Sequence, residues 1–326
     1  MRRVFSLVSK LPPVALGYLF VFWSWLWRQT SEAAPVSVPV LYGSGTSPDV
    51  IPRIIWLYWE QADVPLLVRT CVIRVRALNP SCVVHFLNPD TLRTFVADLP
   101  DFSGSTVQKK TDWVRLYLLQ TRGGIWVDAS TLLTESLDWV FEAQRATGAE
   151  YVGFYIESFT VDRNYPVIEN WFMAAVPGSS FVKKWFEIFD TQVVRLGTEK
   201  YLDGLRERGV YEKVTQNILP SIVSYLSMHL AGQDAMQSMG VPRLALFRAE
   251  DTAFFYQTVS KQLVENWGGG KLRRYLLFRA APAQRPKLIK LRAVDRKYVN
   301  LFLRTGAFRS SSYFGEALLQ SRNSVL

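Results

Sequence analysis

The sequence predicts an α/β protein in which a parallel sheet has helices on both faces. Short apolar runs typical of buried strands alternate with longer runs of helical pattern between residues 53 and 128. The last of these apolar runs ends on a carboxylate, Asp128, in the stretch "RGGIWVDAS" at residues 122–130. Ligands of open α/β sheets bind outside the carboxyl ends of the strands, so Asp128 marks the expected ligand edge.

The individual elements follow from hydrophobic pattern and from residues that begin and end helices. Strands are predicted for "RIIWLYW" (53–59), "CVVHFLN" (82–88) and "IWVD" (125–128). Helices are predicted for residues 65–80, 90–99 and 105–124. Asp63 and Ser105 are the candidate N-terminal caps, and Asn79-Pro80 and Gly123 are the expected helix ends.

The composition narrows the function classes. The net charge is +10, and ten of the Lys and Arg residues lie between Lys271 and Lys297 against one acid, Asp295. This segment also contains apolar runs, so it is predicted to be a folded basic face. A solvated surface is slightly favoured over a face for anionic lipids, nucleotide phosphates or an acidic acceptor. No nucleic-acid partner is predicted.

Two Cys (Cys71 and Cys82) and two His residues exclude a Cys-rich zinc site and a dense disulfide framework. A bridge between Cys71 and Cys82 is conceivable, but two free, buried thiols are expected. A metal, if one is used, must be held by oxygen ligands, which favours Mg²⁺ or Mn²⁺. A dinucleotide-dependent oxidoreductase is disfavoured because no G-x-G-x-x-G follows an early strand.

The N-terminus predicts a membrane anchor over residues 1–28. Leu11 to Trp27 contains no charge and would form a helix of about 25 Å, just long enough for a thin bilayer. A cleaved signal peptide and a segment lying flat on the membrane are the alternatives. More basic residues precede the run than follow it, which predicts a cytosolic N-terminus. Residues 29–50 are predicted to be a stem, and residues 51–326 the catalytic domain.

Three charged residues are predicted to share one pocket. Asp112 and Arg115 are three positions apart on the helix before Asp128, so they lie on one helix face. Considered separately, Asp112 and Arg115 are explained by an intrahelical salt bridge, and Asp128 is explained by a role in forming the turn that follows it. Taken together at one ligand edge, they indicate a binding site.

Three stretches, "IPRIIWLYWEQ", "NPSCVVHFLN" and "TDWVRLYLLQTRGGIWVDAS", resemble the capsular-polysaccharide-synthesis and Och1-like sugar transferases, a group with DXD motifs. The resemblance covers residues 51–180 and extends weakly to about 300, where "RPKLIKL" looks like a closing strand. It implies a GT-A-like, Rossmann-type mixed sheet flanked by helices. It also implies transfer of a hexose from a UDP- or GDP-sugar to a glycan or lipid-linked acceptor, with retention of configuration.

The resemblance also implies roles for individual residues. Ile54 to Trp59 would hold the nucleotide base and ribose, with Trp56, Tyr58 and Trp59 as aromatic contacts. Asp112 and Arg115 would bind the sugar hydroxyls and phosphate, and Asn170 would contact the sugar. Asp128 corresponds to the first Asp of the DXD motif. Trp267 is a further candidate for stacking on the donor, beside a "GGG" (268–270) that is either a lid hinge or a plain loop.

One departure from the motif concerns the metal. Ser130 stands where the second Asp of DXD would ligate Mn²⁺ or Mg²⁺. The predicted ligands are therefore Asp128, Ser130 and a later acid, Asp251 or its neighbour Glu250, although a surface turn is the more common setting for that pair.

The favoured location is a single-pass type II Golgi membrane, with a bacterial inner membrane as the alternative. The rival functions are a nucleotide-sugar-binding pseudoenzyme and a non-catalytic membrane scaffold.

Overall fold

The protein is built on a seven-stranded mixed sheet, seen in a computed structural model that describes residues 12–260 and 270–323. The spatial order of its strands is β1-β8-β6-β7-β4-β2-β3, and β5 and β9 form a separate two-stranded ladder. The strands are β1 (Val40–Tyr42), β2 (Ile54–Tyr58), β3 (Val83–Leu87), β4 (Gly124–Val127), β5 (Leu132–Leu133), β6 (Tyr151–Tyr155), β7 (Ile168–Ala175), β8 (Leu244–Arg248) and β9 (Leu288–Ile289).

Helices cover both faces of the sheet and form a further layer near the C-terminus. They are α1 (Pro13–Leu26), α2 (Leu66–Leu78), α3 (Pro89–Leu92), α4 (Val107–Arg122), α5 (Asp138–Thr147), α6 (Ser180–Ile188), α7 (Thr198–Glu207), α8 (Tyr211–Thr215), α9 (Ser227–Met239), α10 (Phe255–Val259), α11 (Gly270–Arg273), α12 (Ala293–Thr305) and α13 (Tyr313–Asn323). Two π-helical segments, Phe189–Arg195 and Arg274–Phe278, continue α6 and α11.

The predicted α/β class with a large mixed sheet flanked by helices is confirmed. β2 pairs in parallel with both β3 and β4, as the strand–helix alternation predicts. The sheet is mixed because β7 runs antiparallel between β4 and β6. β6 and β8 are parallel to each other, so both share the direction of β4.

Helix boundaries differ from the predictions in three places. The helix predicted for 90–99 is only Pro89–Leu92: the Asn88 side chain caps its start, and the chain leaves the helix after one turn. Thr106, not Ser105, caps α4 and accepts a hydrogen bond from the Lys109 amide at 3.2 Å. α2 begins after Pro65 with no side-chain cap, so Asp63 does not have the predicted role.

The sheet separates two apolar layers because successive strand residues point to opposite faces. Trp56 and Trp126 pack with the apolar side of α4, whereas Ile55 and Ile125 pack with α2 and α5. A third cluster joins α2 to the C-terminal helices and contains both β5 and β9 residues. Cys71 and Cys82 are both free, as predicted, but only Cys71 is buried and Cys82 is half-buried.

The predicted membrane-anchor helix is not supported. α1 has 14 residues, about 21 Å. One side of it packs on the protein, with Gly17 against Phe302 and Phe20 stacked on Phe278 at 5.8 Å. In the two described ranges, no helix combines the length and apolar character needed to span a bilayer.

Residues 29–50, the predicted stem, lie against the body of the protein. The Ser31 amide donates to the Ala280 carbonyl at 2.9 Å, and Ala34 is buried. β1 then adds an antiparallel strand to the edge of the sheet beside β8. This segment therefore completes the sheet edge.

Candidate active site

The turn between α4 and β4 places Asp128. Gly123 and Gly124 have positive φ angles of 64° and 95°, a region that disfavours residues with side chains. A Cβ on Gly124 would also lie 2.7 Å from the Ile54 carbonyl oxygen of β2. The two glycines of "RGGIWVDAS" thus let the chain reverse directly from helix to central strand, and Asp128 follows at the carboxyl end of β4.

Asp128 lies between two cations. Its Oδ1 accepts hydrogen bonds from Arg115 Nη2 at 3.0 Å and Trp126 Nε1 at 3.1 Å. Its Oδ2 forms an ion pair with Lys290 Nζ. Burial alone would raise the pKa of Asp128, but Lys290 and Arg115 outweigh it and lower the pKa to about 2. Asp128 is therefore ionised at neutral pH.

Arg115 connects this carboxylate to a second one. Its Nη1 pairs with Asp112 Oδ1, which also accepts from Asn170 Nδ2 at 3.1 Å. Asn170 reaches this point because β7 is antiparallel to β4, so the start of β7 lies at the carboxyl edge of β4. Burial raises the pKa of Asp112 to about 6 against the opposing effect of Arg115. The structure thus brings together four predicted residues: Asp112, Arg115, Asp128 and Asn170.

Two basic residues complete the site and were not predicted. Lys290 directly follows β9, whose pairing with β5 holds it beside the turn after Asp128. Arg296, in the first turn of α12, donates through Nη1 to Ser130 Oγ at 3.3 Å. The basic segment 271–297 is the signal that contained both residues, but charge density alone does not single them out.

The predicted aromatic donor contacts are dispersed. Trp56 belongs to the core, where it is 1% exposed, stacks on His85 at 4.7 Å and donates to the Gly123 carbonyl at 2.9 Å. Tyr58 and Trp59 do lie at the carboxyl end of β2. The Tyr58 hydroxyl pairs with Glu60, and Trp59 Nε1 is buried with no hydrogen-bond partner among the described residues. Trp267 and most of the "GGG" stretch lie outside the described residues.

The predicted metal ligands do not come together. Asp251 follows β8, which is three positions from β4, or roughly 14 Å at about 4.8 Å per strand. There it pairs with Arg248 at 3.5 Å, and Glu250 accepts from the amides of Glu157 and Ser158 at 3.2 and 2.9 Å. The sequence prediction overlooked the strands that separate these acids from Asp128.

The residues around Asp128 do not fit a divalent cation. Mg²⁺ and Mn²⁺ bind oxygen ligands, and Mg²⁺ at phosphate-binding sites is usually held by one or two carboxylates together with waters and substrate phosphates. Both oxygens of Asp128 are engaged by cationic side chains, and Ser130 Oγ faces Arg296. Within residues 12–260 and 270–323, no group of three or more His, Cys, Asp or Glu side chains is placed to hold a metal.

Similarity to known proteins agrees with a sugar-transferring enzyme. A family model of capsular polysaccharide synthesis proteins matches residues 44–193, the segment that contributes Asp112, Arg115, Asp128 and Asn170. The chain is 34% identical over 155 residues to the O-glycosyltransferase braB of Annulohypoxylon truncatum, covering 41% of this chain and 36% of braB. It is 31% identical over 159 residues to the glycosyltransferase afumC of Aspergillus fumigatus, covering 43% of this chain and 40% of afumC.

These matches confirm the predicted resemblance to the capsular-polysaccharide-synthesis sugar transferases. Residues 44–193 match the capsular polysaccharide synthesis family, and the relatives that this chain resembles are glycosyltransferases. The chain spans less than half the length of either relative. Among solved structures, the galactosyltransferase LgtC in complex with donor and acceptor sugar analogues is 10% identical with a TM-score of 0.36, over 78% of this chain and 96% of that chain. A likeness this weak adds nothing about the site.

Proposed function

We propose that the protein is a GT-A-type glycosyltransferase that moves a hexose from a UDP- or GDP-sugar to a glycan or glycoconjugate acceptor. The observation that carries this proposal is the network of Asp112, Arg115, Asp128 and Asn170 at the carboxyl edge of β4. It lies in the segment that matches a family of sugar transferases. The same edge of an α/β sheet is where nucleotides commonly bind.

The side chains fit the charges and polar groups of a nucleotide sugar. The carboxylates can accept hydrogen bonds from sugar hydroxyls, and the Asn170 amide can both accept and donate them. The contacts among these side chains hold them in a fixed orientation. Arg115 lies 5.2 Å from the Trp126 ring and bridges both carboxylates, so its guanidinium is fixed beside the expected phosphate position. A fixed cation stabilises negative charge that develops on a leaving diphosphate. The proposal includes retention of configuration at the sugar, because the family resemblance implies it.

A donor screen tests the proposal. The full chain would be incubated with UDP- and GDP-sugars in parallel, with EDTA and with Mn²⁺ or Mg²⁺, and released nucleoside diphosphate would be measured. Release from one donor, increased by a suitable acceptor, supports a transferase. Nucleotide binding without release from any donor would favour the nucleotide-sugar-binding pseudoenzyme. If the chain neither binds nucleotide nor releases it, the membrane scaffold becomes the favoured function.

The raised pKa of Asp112 predicts a pH-dependent donor affinity. Below about pH 6 the carboxyl takes up a proton and loses its charge-assisted bond to Arg115. We expect donor affinity to fall on the order of tenfold between pH 7 and pH 5, as measured by titration calorimetry. The charged groups that act on Asp112 are Arg115, His229, Asp128 and Lys109.

His229 is one of the groups that act on Asp112, and histidine is the residue type whose protonation commonly changes between pH 5 and pH 8. A His229→Gln variant therefore serves as the control. The affinity step should persist in this variant, because Asp112 still titrates. Loss of the step in His229→Gln would assign it to the imidazole and contradict the prediction.

We further propose that the protein associates with a membrane surface through the outward face of α1. Phe22, Trp23 and Trp25 of α1 and Trp27 directly after it have side chains that are 54–65% exposed, which is unusual for large apolar residues so close together. Two basic residues lie beside this face: Arg28 follows the helix, and Arg28 and Arg309 line one surface pocket with Trp25 and Leu26. Aromatic side chains beside basic ones suit an anionic lipid interface.

Vesicle binding tests this association. The full chain should co-sediment with vesicles that contain phosphatidylserine, and the double variant Phe22→Ser, Trp25→Ser should reduce the partition coefficient by at least about tenfold. The matched control is Val83→Ser, Leu219→Ser, which removes two exposed apolar side chains elsewhere. Equal binding by both double variants would contradict a role for α1.

A further inference from the structure

Three cationic side chains converge where a metal site was predicted. We call Arg115, Lys290 and Arg296 the cationic cluster. Arg115 and Lys290 flank Asp128, and Arg296 contacts Ser130, two residues further along the chain. Ser130 is 2% exposed, so Arg296 reaches into the interior of the site.

The cluster gives the site an excess of positive charge. Its three cations face two carboxylates, Asp112 and Asp128. Burial lowers the pKa of Lys290, and the neighbouring Arg296 and Arg115 act in the same direction against the attraction of Asp128. Like charges held together in a partly buried site repel one another, and an anion that binds among them relieves this repulsion.

The cluster can still bind a ligand while it keeps its protein contacts. An ammonium has three N–H donors and a guanidinium has five, and the Lys290 ammonium gives one of its own to Asp128. Arg296 uses one Nη1 donor on Ser130. Charge-assisted bonds from Arg and Lys are the common way for proteins to hold phosphate oxygens.

We propose that Lys290 and Arg296, together with Arg115, bind the diphosphate of the sugar donor and take the place of a divalent cation. The inference rests on the proposed function, since it names how that site holds its leaving group. It follows from the poor fit of the site to Mg²⁺ or Mn²⁺ and from the position of the cluster at the ligand edge of the sheet.

The cluster acts on the atoms that change charge. The bond between sugar C1 and the diphosphate oxygen breaks, and both electrons stay with the diphosphate. The acceptor hydroxyl oxygen forms the new bond to C1, and its proton passes to the departing diphosphate. Lys290 and Arg296 offset the charge that develops on that leaving group, a role in which one fixed donor commonly contributes about 10²- to 10³-fold in rate.

Chelation of the wild-type protein is the first test. The full chain, stripped with EDTA, would be titrated with UDP and GDP, and release of nucleoside diphosphate from the active donor would be measured. We expect the preferred nucleotide to bind and the donor to be cleaved within about twofold of the rates measured with added Mn²⁺ or Mg²⁺. Activity and nucleotide binding that both disappear in EDTA and return with Mn²⁺ or Mg²⁺ would overturn the inference.

Two variants test the residues themselves. Lys290→Met and Arg296→Met should each lower kcat/KM by about 10²-fold. They should weaken binding of the nucleoside diphosphate at least tenfold but leave binding of the corresponding nucleoside unchanged. Arg296→Lys should recover part of the loss. The control is Lys287→Met, because Lys287 precedes β9 but pairs with Glu135 at 3.0 Å. Unchanged diphosphate affinity in both Met variants would overturn the inference.

The outcomes separate this inference from the proposed function. Metal-dependent donor cleavage would leave the glycosyltransferase intact and remove only the cationic diphosphate site. Failure of UDP, GDP and all sugar donors to bind, with or without metal, would remove the proposed function and the inference with it.

Discussion

Replacement of Asp128 by asparagine is expected to lower kcat/KM for donor cleavage by about 10²- to 10³-fold. Asparagine keeps the shape of the side chain and can still accept from Arg115 and Trp126 through one oxygen. It loses the negative charge, and its NH₂ group cannot accept from Lys290, which now lacks the carboxylate partner. Arg115 and Lys290 would then repel each other and lose their fixed positions.

Initial rates of nucleotide release measure this effect, and calorimetric titration with the nucleoside diphosphate shows whether binding changes as well. The matched control is Asp203→Asn, because Asp203 is also paired with an arginine but its side chain is 63% exposed. Retention of more than half of the wild-type kcat/KM by Asp128→Asn would remove Asp128 from the catalytic site.

Replacement of Arg115 by methionine is expected to destabilise the fold as well as abolish activity. Its guanidinium is 5% exposed and is paired with two carboxylates that are themselves largely buried. Removal of one partner of a buried ion pair costs roughly 3–5 kcal/mol. We expect the lower end of that range, because Asp128 keeps Lys290 and Asp112 can take up a proton.

Urea unfolding between pH 5 and pH 8 gives this prediction a specific signature. The folded-state pKa of Asp112 is already above its ordinary value, and the loss of Arg115 raises it further. A raised carboxyl pKa in the folded state means stability that is present at low pH and lost as pH rises through that pKa. Arg115→Met should therefore lower the free energy of unfolding, relative to the wild type, by more at pH 8 than at pH 5.

Arg206→Met is the control for Arg115→Met. Arg206 and Asp203 have the same i, i+3 spacing as Arg115 and Asp112, but their side chains are 48% and 63% exposed. Solvent screens this pair, so little change in unfolding is expected. Equal destabilisation by the two substitutions would mean that the buried network contributes nothing beyond an ordinary surface pair.

The parts of the structure that were predictable are local in sequence. Strands β2, β3 and β4 follow from apolar runs, and the α4–β4 reversal follows from two glycines. Asp112 and Arg115 share a helix turn, and Asp128 lies one short turn later, so their convergence needs no distant contact. Asn170 was reached through the family resemblance, because no local pattern shows that β7 is antiparallel to β4.

The remaining features depend on contacts that no local pattern encodes. Lys290 lies 162 positions after Asp128 in the sequence and is brought to it by the pairing of β5 with β9. These strands have two residues each, so they are too short to show a hydrophobic pattern that would predict them. Asp251 was misplaced because the sequence order of strands conceals their spatial order, in which β6 and β7 separate β8 from β4. Trp56 lies in the middle of its strand and is buried in the core. Hydrophobic alternation shows which residues share a face of the sheet, but it does not show which of them lie at the strand end, where a ligand binds.

The pairing of β5 with β9 joins two parts of the site that are synthesised far apart in time. A ribosome completes residues 44–193 about a hundred residues before it adds Lys290 and Arg296. During that interval the chain contains Asp112, Asp128 and Arg115 but not Lys290, so the residues of the site made so far carry more acid than base. If the cationic cluster holds the leaving group, donor cleavage begins only when translation has passed α12. A partly synthesised chain would therefore not consume nucleotide sugar.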